Sequence, residues 1–300
     1  MRWIRTPLLA WLIVACGVAA AAALPADENE RACWLSHTRE RTRANLKELT
    51  SVDFSNLRNG FAVASPFQVE FAVRGMGVVP AGKPLPGTGH HHILVDTRLP
   101  ASVTDKIPFN DKHRHFGKGQ TSTLLDLPPG KHTLRLLFAD HEHRPYFVFS
   151  PEITIEVLGA RSAMPRPKID PKNFAATCAA WYQDEVSRPR APDEPLYFSN
   201  LRAGEALTSP FNVRLGVDGF GVCATGQSAE KTGHFMLELL TRQGRRPVQT
   251  IDLSNGATQT NLFASTGAYI LRLRFVDPTS GADVLQPHEL PIDVRGQELL

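Results

Sequence analysis

The chain is poor in sulfur, in unbalanced charge and in long apolar runs. Only 4 of its 300 residues are cysteine and 4 are methionine. That excludes a disulfide-dense miniature scaffold and leaves no zinc-finger spacing. There is no Gly-x-Ser-x-Gly, no Walker spacing and no His-Glu-x-x-His, so the simplest signatures of serine hydrolases, nucleotide cradles and zinc proteases are missing. Gly117-Lys118-Gly119-Gln120-Thr121 comes nearest to a phosphate loop, but it leads into a strand pattern and not a helix. No pair of carboxylates flanks an evident cleft, and the sequence leans away from an enzyme.

Charge excludes a second set of functions. The chain has 33 basic and 30 acidic residues. Arg2 and Arg5 lie in residues 1–26, which hold no acid, so the remainder carries 31 (33 − 2) against 30. A surface that balanced gives no electrostatic footprint for nucleic acid or anionic lipid. The apolar run Pro7 to Val14, followed by small residues through Ala23, is too short to span a membrane. With two arginines ahead of it, it reads as a secretory signal peptide over residues 1–26, cleaved after Ala23 or Ala26. Ile13-Val14-Ala15-Cys16 supports a rival reading, lipoprotein processing at Cys16. Either way a periplasmic or secreted protein is expected. Cys33, Cys178 and Cys223 then sit where disulfides persist. Cys33 with Cys178 would tie two leaders together, and Cys178 with Cys223 would lie within the second half.

What the sequence does have is one unit written twice. Phe54-Ser55-Asn56-Leu57-Arg58 returns as Phe198-Ser199-Asn200-Leu201-Arg202, an offset of 144 (198 − 54). Ser65-Pro66-Phe67 returns as Ser209-Pro210-Phe211 at the same offset. Later the offset falls to 137, where Gly130, Phe138 and Asp140 match Gly267, Phe275 and Asp277. The second copy has lost seven residues, in the region of His113 and His115.

Phe67, Val69, Phe71 and Val73 alternate with polar or small residues, as do Phe211, Val213, Leu215 and Val217. Period-two patterns between Gly and Pro turns predict strands. Gly267-Ala268-Tyr269 has the spacing of a tyrosine corner. The fold class expected is all-β: two tandem immunoglobulin-like antiparallel β-sandwiches with short helical leaders. The expected divisions are a signal peptide at 1–26, a helical leader at 27–50, a first sandwich at 51–160, a Pro-rich linker with a short helix at 161–195 and a second sandwich at 196–300. Helices are expected over 31–49 and 174–186.

The first copy holds His90, His91, His92, His113, His115, His132, His141 and His143, and the second only His234 and His288. Features shared by the copies belong to the scaffold, and the histidines are not shared. In the second copy Phe235, Leu237 and Leu239 form the apolar face of their strand, so His91 should face the first core and His90 with His92 the other face. His132 stands in the place of Tyr269 and is assigned to structure. A hairpin of Thr121–Leu127 and His132–Phe138 across Pro128-Pro129-Gly130 would bring His115 and His143 to the rim where the His90–Asp96 strand begins. Clustered neutral imidazoles suit copper or zinc. The predicted ligands are His90, His92, His115 and His143, with Asp140 orienting them from behind and His141 and His113 as alternates.

Residues 89–157 also resemble a known family. Gly89-His90-His91-His92 with Asp96, His115-Phe116-Gly117-Lys118-Gly119-Gln120-Thr121, Leu127-Pro128-Pro129-Gly130-Lys131-His132 and Asp140-His141-x-His143 are similar to the bacterial exported domain of unknown function family 4399. The second copy reads as a degenerate relative. The family pattern carries a further histidine where this chain has Tyr146. The resemblance implies export and weight for these positions, and no activity.

The function expected is therefore a periplasmic metal-binding module. The alternatives are an envelope interaction or structural protein contacting a protein or glycan, and a metal-dependent enzyme with Asp96 or Asp111 as base. The second copy is expected to be scaffold, although His234, Met236 and Cys223 are soft enough to suggest cuprous copper.

Overall fold

The computed structural model describes residues 23–47, 49–190, 194–227 and 229–297. Cys16 and most of the expected signal peptide, residues 1–22, lie outside the described residues. Among the described residues no helix is long and apolar enough to cross a membrane.

Each half folds into two facing sheets. In the first, Phe67–Arg74 runs between Ser51–Phe54 and Ser122–Leu125 in a three-stranded sheet. The facing sheet has the order Ala62–Ser65, Ile153–Ala160, Gly130–Ala139, Thr88–Val95, Gly77–Val78. His113–Phe116 pairs with Thr88–Val95, and Pro145–Phe149 with Gly130–Ala139. The second half has the same strand order, with Phe211–Val217 central in the small sheet and Gly267–Val276 paired to Thr232–Thr241 in the large one. The protein is two tandem immunoglobulin-like β-sandwiches with helical leaders. The ladders are antiparallel except at two places in each half; in the first, Ala62–Ser65 runs parallel to Ile153–Ala160 and Gly77–Val78 parallel to Thr88–Val95.

The hairpin expected across Pro128-Pro129-Gly130 does not form. Ser122–Leu125 pairs with Phe67–Arg74 in the small sheet, whereas Gly130–Ala139 lies in the large one. Leu125 and Leu127 are both buried in the core, and two prolines in succession supply no N–H for a tight turn. The chain instead arches from one sheet to the other. It still reverses direction, so the end-to-end order of the histidine segments is unchanged.

Among the described residues three α-helices form: Glu28–Ser36, Thr38–Thr42 and Phe174–Val186. Asp27 caps the first by accepting from the amides of Asn29 and Glu30, both at 2.9 Å. The helix expected over 31–49 ends early, because Arg43 leaves it to bridge Phe211 in the second sandwich. Leu46 and Leu49 consequently stay exposed. That contact is one of an exchanged pair. The first leader docks on the second sandwich, where Asn200 Nδ2 donates to Arg41 O at 3.0 Å. The second leader docks on the first, where Asn56 Nδ2 donates to Val186 O at 2.8 Å. A Cys33–Cys178 disulfide joins the leaders, surrounded by Trp34, Trp181 and Tyr182, and Cys223 is buried and free.

The exchange also explains a departure from simple alternation. Gln68 and Glu70, expected on an open face, are buried, because the second leader covers them; Gln68 N donates to Ser187 O at 2.9 Å. The sandwiches themselves meet in reciprocal contacts. Val78 N donates to Gly256 O and Val222 N to Gly119 O, each at 2.8 Å. Thr258 Oγ1 accepts from Val73 N at 2.9 Å and Thr121 Oγ1 from Val217 N at 3.0 Å. Such matched pairs are those of a two-fold interface, here between two parts of one chain.

Candidate metal centre

Thr88–Val95 is buried along its whole length, on both faces. His91, Ile93 and Val95 point into the sandwich core. The His91 ring packs 5.0 Å from the centroids of both Phe71 and Phe138, and neither of its nitrogens has a hydrogen-bond partner. Burial lowers it to about 3, so it is a neutral core residue. His90, His92 and Leu94 occupy the opposite face. That face would be open to solvent, but the loop after the strand folds back and seats Ile107 against Leu94, Leu137 and Ala139.

Two further segments deliver imidazoles to the same face. The antiparallel register of His113–Phe116 sets His115 directly opposite His92. His90 lies opposite Ala139, from which the chain turns to His143. Asp140 builds that turn: its Oδ1 accepts from the amides of Glu142 and Arg144, both at 2.8 Å. His143 sits at φ 70° with its amide on Asp140 O at 3.0 Å. Asp140 thus shapes the backbone behind His143, and its carboxylate goes to main-chain amides and not to an imidazole.

The four rings converge. His90 lies 5.0 Å from His92 and 4.9 Å from both His115 and His143, centroid to centroid. His115 lies 5.0 Å from His92 and 4.9 Å from His143, and the longest separation, His92 to His143, is 6.1 Å. Nitrogens of His90, His92 and His115 approach within 4.8 Å of one another, close enough to hold a metal ion. His90 Nε2 and His92 Nε2 are 3.1 Å apart. At least three ring nitrogens there, His90 Nδ1, His92 Nδ1 and His115 Nε2, are buried without a partner, a costly arrangement for a site with no ligand to hold.

Two neighbours outside the predicted ligand set shape this cluster. A Cβ on Gly117 would fall 2.3 Å from Cε1 and 2.4 Å from Nε2 of His115, so the ring needs glycine beneath it. The Phe109 ring packs edge to face against His115 and His143, centroids 4.7 and 4.9 Å away, while remaining 60% exposed; it covers the outer side of the cluster. Gly117 stood in the His115-Phe116-Gly117 motif, whereas nothing in the sequence marked Phe109.

Burial favours the neutral form of His90, His92 and His115. Burial first, then the neighbouring imidazoles, lowers His90 to about 3 and His92 to about 2. His115 is also lowered, by burial and by His143. Unprotonated imidazole is the form that ligates metals.

The remaining sequence candidates lie elsewhere. His113 Nδ1 pairs with Asn110 Oδ1 at 2.9 Å, and His141 is half-buried with its carbonyl accepting from Gly82 N. His132 bridges Asp96 Oδ2 at 2.7 Å and Pro128 O at 2.9 Å. Asp111 is exposed beside Arg114. Tyr146 stacks on Phe138 and donates to Thr88 O at 3.0 Å. In the second half the soft side chains have separate partners: His234 Nε2 meets Asp252 Oδ1 at 3.0 Å, Arg274 donates to Met236 Sδ at 3.2 Å, and Cys223 Sγ faces Gln227 O at 3.3 Å. Cys33, His37 and Cys178 also lie close together, but the disulfide leaves no thiolate there.

Comparison with known proteins gives one family. No curated protein matches the sequence significantly. Solved structures give only distant likenesses. Fibronectin(III)-like modules of Clostridium thermocellum CbhA are 8% identical over 82% of this chain and 94% of theirs, with a TM-score of 0.22. CopC from Methylosinus trichosporium OB3b is 14% identical over 33% of this chain and 89% of its own, at 0.20. Chicken CNTN1 FN1-FN3 domains are 11% identical over 80% and 68%, at 0.23. Scores this low carry no argument about function. Residues 69–158, the segment that contains all four clustered histidines, match the family described as Domain of unknown function (DUF4399).

Proposed function

We propose that this is an exported metal-binding module that holds one copper or zinc ion through His90, His92, His115 and His143. The observation that carries the reading is the arrangement of the four rings. A nitrogen about 2.1 Å from a tetrahedral ion puts its ring centroid about 3.2 Å out and adjacent centroids roughly 5.2 Å apart. The six separations of 4.9–6.1 Å bracket that value. An all-nitrogen ligand set suits copper and zinc and disfavours calcium and magnesium, which require oxygen. Asp140 supports the ligand set through the turn it holds, and His113 and His141 stay outside it.

In this reading residues 1–26 are the export signal and the mature protein is periplasmic. Residues 51–160 form the binding domain, and residues 196–300 are a degenerate copy kept as its structural partner. Met236, Asp252 and Arg274 stand at the places of His92, His115 and Leu137, so the second copy presents a cation of its own where the first gathers neutral imidazoles. Calorimetric titration of the mature chain with copper and zinc tests the proposal. One ion per chain is expected, bound more tightly than about micromolar. Failure of both metals to reach that affinity refutes it. The His90→Ala/His92→Ala double variant should leave no tight copper(I) site, which places the second half outside metal binding.

A further inference from the structure

The exchanged leaders create two corresponding grooves, and the charge at their floors is reversed. Ser55 N donates to Glu70 O and Ser199 N to Arg214 O, each at 2.8 Å. The amides of Glu70 and Arg214 both donate at 2.9 Å, to Asn56 Oδ1 and Asn200 Oδ1. Glu70 and Arg214 are the same position in the two copies.

Around Glu70 the groove is filled by the chain itself and only about 80 Å³ remains. Arg190 stands 3.5 Å from the carboxylate, Ser199 Oγ donates to it, and Arg202 meets Glu185 at 2.5 Å. Around Arg214 the corresponding groove is open, about 670 Å³. The leader residue matching Arg190 is Asn45, at the same offset as Cys178 from Cys33, 145 (190 − 45). Asn45 therefore brings no charge to Arg214, and among the described leader residues the acid in this groove, Glu40, pairs with Arg58 at 3.7 Å. Arg214 donates to Phe54 O at 3.4 Å, Ser55 O at 3.1 Å and Asn212 Oδ1 at 3.1 Å, and among the described residues makes no ion pair.

Arg58 donates to Phe54 O at 3.1 Å as well, so two guanidinium groups converge on one carbonyl. Arg43 and Lys47 also line the groove, against the acids Glu40 and Asp53. Among the described residues its charged lining is thus net positive by two (four cations minus two acids). Burial, and then Arg58, lowers the Arg214 guanidinium to about 10, with Asp53 opposing the shift. Apolar surface completes the wall, from Leu46, Phe54, Leu57 and Ile153.

We propose that this groove binds an organic carboxylate with an apolar body, its carboxylate on Arg214 beside the Arg58–Glu40 pair and its body over Leu46 and Ile153. The ligand would supply to Arg214 the counter-charge that Arg190 supplies to Glu70. A guanidinium fork binds planar carboxylates through paired charge-assisted hydrogen bonds, and the apolar wall distinguishes such a ligand from an inorganic anion.

Decanoate binding to the mature chain, followed by displacement of anilinonaphthalene sulfonate fluorescence and by calorimetry, tests this. One saturable site is expected, weakened by salt, with phosphate failing to compete. Arg214→Gln should weaken it about tenfold or more. The Ala44→Trp variant, which narrows the groove without touching Arg214, should do the same. The Asn45→Arg/Arg214→Glu pair rebuilds the contact seen around Glu70 and should abolish binding at a near-native thermal midpoint. His90→Ala should leave decanoate binding unchanged. No saturable binding in the natural chain, or binding undiminished in Arg214→Gln and Ala44→Trp, overturns the proposal. Should Arg214→Gln fail to fold, Ala44→Trp decides.

Discussion

His90 Nε2 and His92 Nε2 face each other at 3.1 Å across one side of a single strand. Only one of them can carry the shared proton, so one ring is left with a proton on Nδ1 and no acceptor for it. An ion bound between them removes that conflict. Alanine at either position should weaken copper or zinc binding about a hundredfold or more, whereas His113→Asn and His141→Asn should leave affinity within about threefold. Calorimetric titration of the four variants checks this directly.

Gly117 gives a subtler test. A methyl group there meets the His115 ring at 2.3–2.4 Å, so Gly117→Ala must displace the ring. We expect metal affinity to fall about tenfold or more while the metal-free thermal midpoint moves little, since the ring is only half-buried. Unchanged affinity would show that His115 is not a ligand.

The metal-free protein should lose stability in mild acid. His91 is held at about 3 and His288 at about 4, chiefly by burial, as His90 and His92 are at about 3 and 2. Each folded value lies below the unfolded value of about 6.5, so unfolding takes up protons. The associated stability is fully present above about pH 6.5 and declines as pH falls, by about 1.4 kcal/mol per pH unit for each such histidine. Urea unfolding at pH 7.5, 5.5 and 4.5 measures the slope, as roughly three conditions spanning that window. A flat profile contradicts the neutral, buried assignment. Saturating metal should raise stability at the upper end and make it steeper with acid, because the ligands must shed protons to bind.

His132 should act in the opposite sense. Burial lowers its affinity for a proton, but the bonds to Asp96 and to Pro128 O outweigh it and raise the value. Its contribution is therefore complete below the unfolded value and is lost as pH rises through the folded one. Asp96→Asn should destabilise more at pH 5.5 than at pH 8, about one unit below and well above the ordinary histidine value. Equal effects at both would make the contact a plain hydrogen bond.

Removing the Cys33–Cys178 disulfide with a double serine variant should cost about 2–5 kcal/mol. Because the leaders are exchanged, both sandwiches should respond in one transition, which thermal unfolding followed by tryptophan fluorescence would report. Loss of a single sandwich at lower temperature would mean the leaders act independently.

Much of the framework was legible in residues alone. Alternation in Phe67–Val73 and Phe211–Val217 specified strands, since period two fixes which side chains share a face. Comparing the copies separated His91 from His90 and His92, because a strand's parity follows from its apolar partners. Even the corner residues agree: Tyr269 OH donates to Ser265 O at 3.0 Å, and His132 Nε2 meets Pro128 O at 2.9 Å, each four residues back. Tertiary structure decided the rest. That Leu125 and Gly130 belong to different sheets depends on which face each strand buries, and both arrangements read alike in sequence. The exchange of leaders, the burial of Glu70 and the exposure of Arg214 to a groove arise from contacts between positions about 145 residues apart (178 − 33). Phe109 reaches the histidines only because its loop folds over the sheet. Local pattern sets what a segment can form; which distant surface covers it is settled when the whole chain has packed.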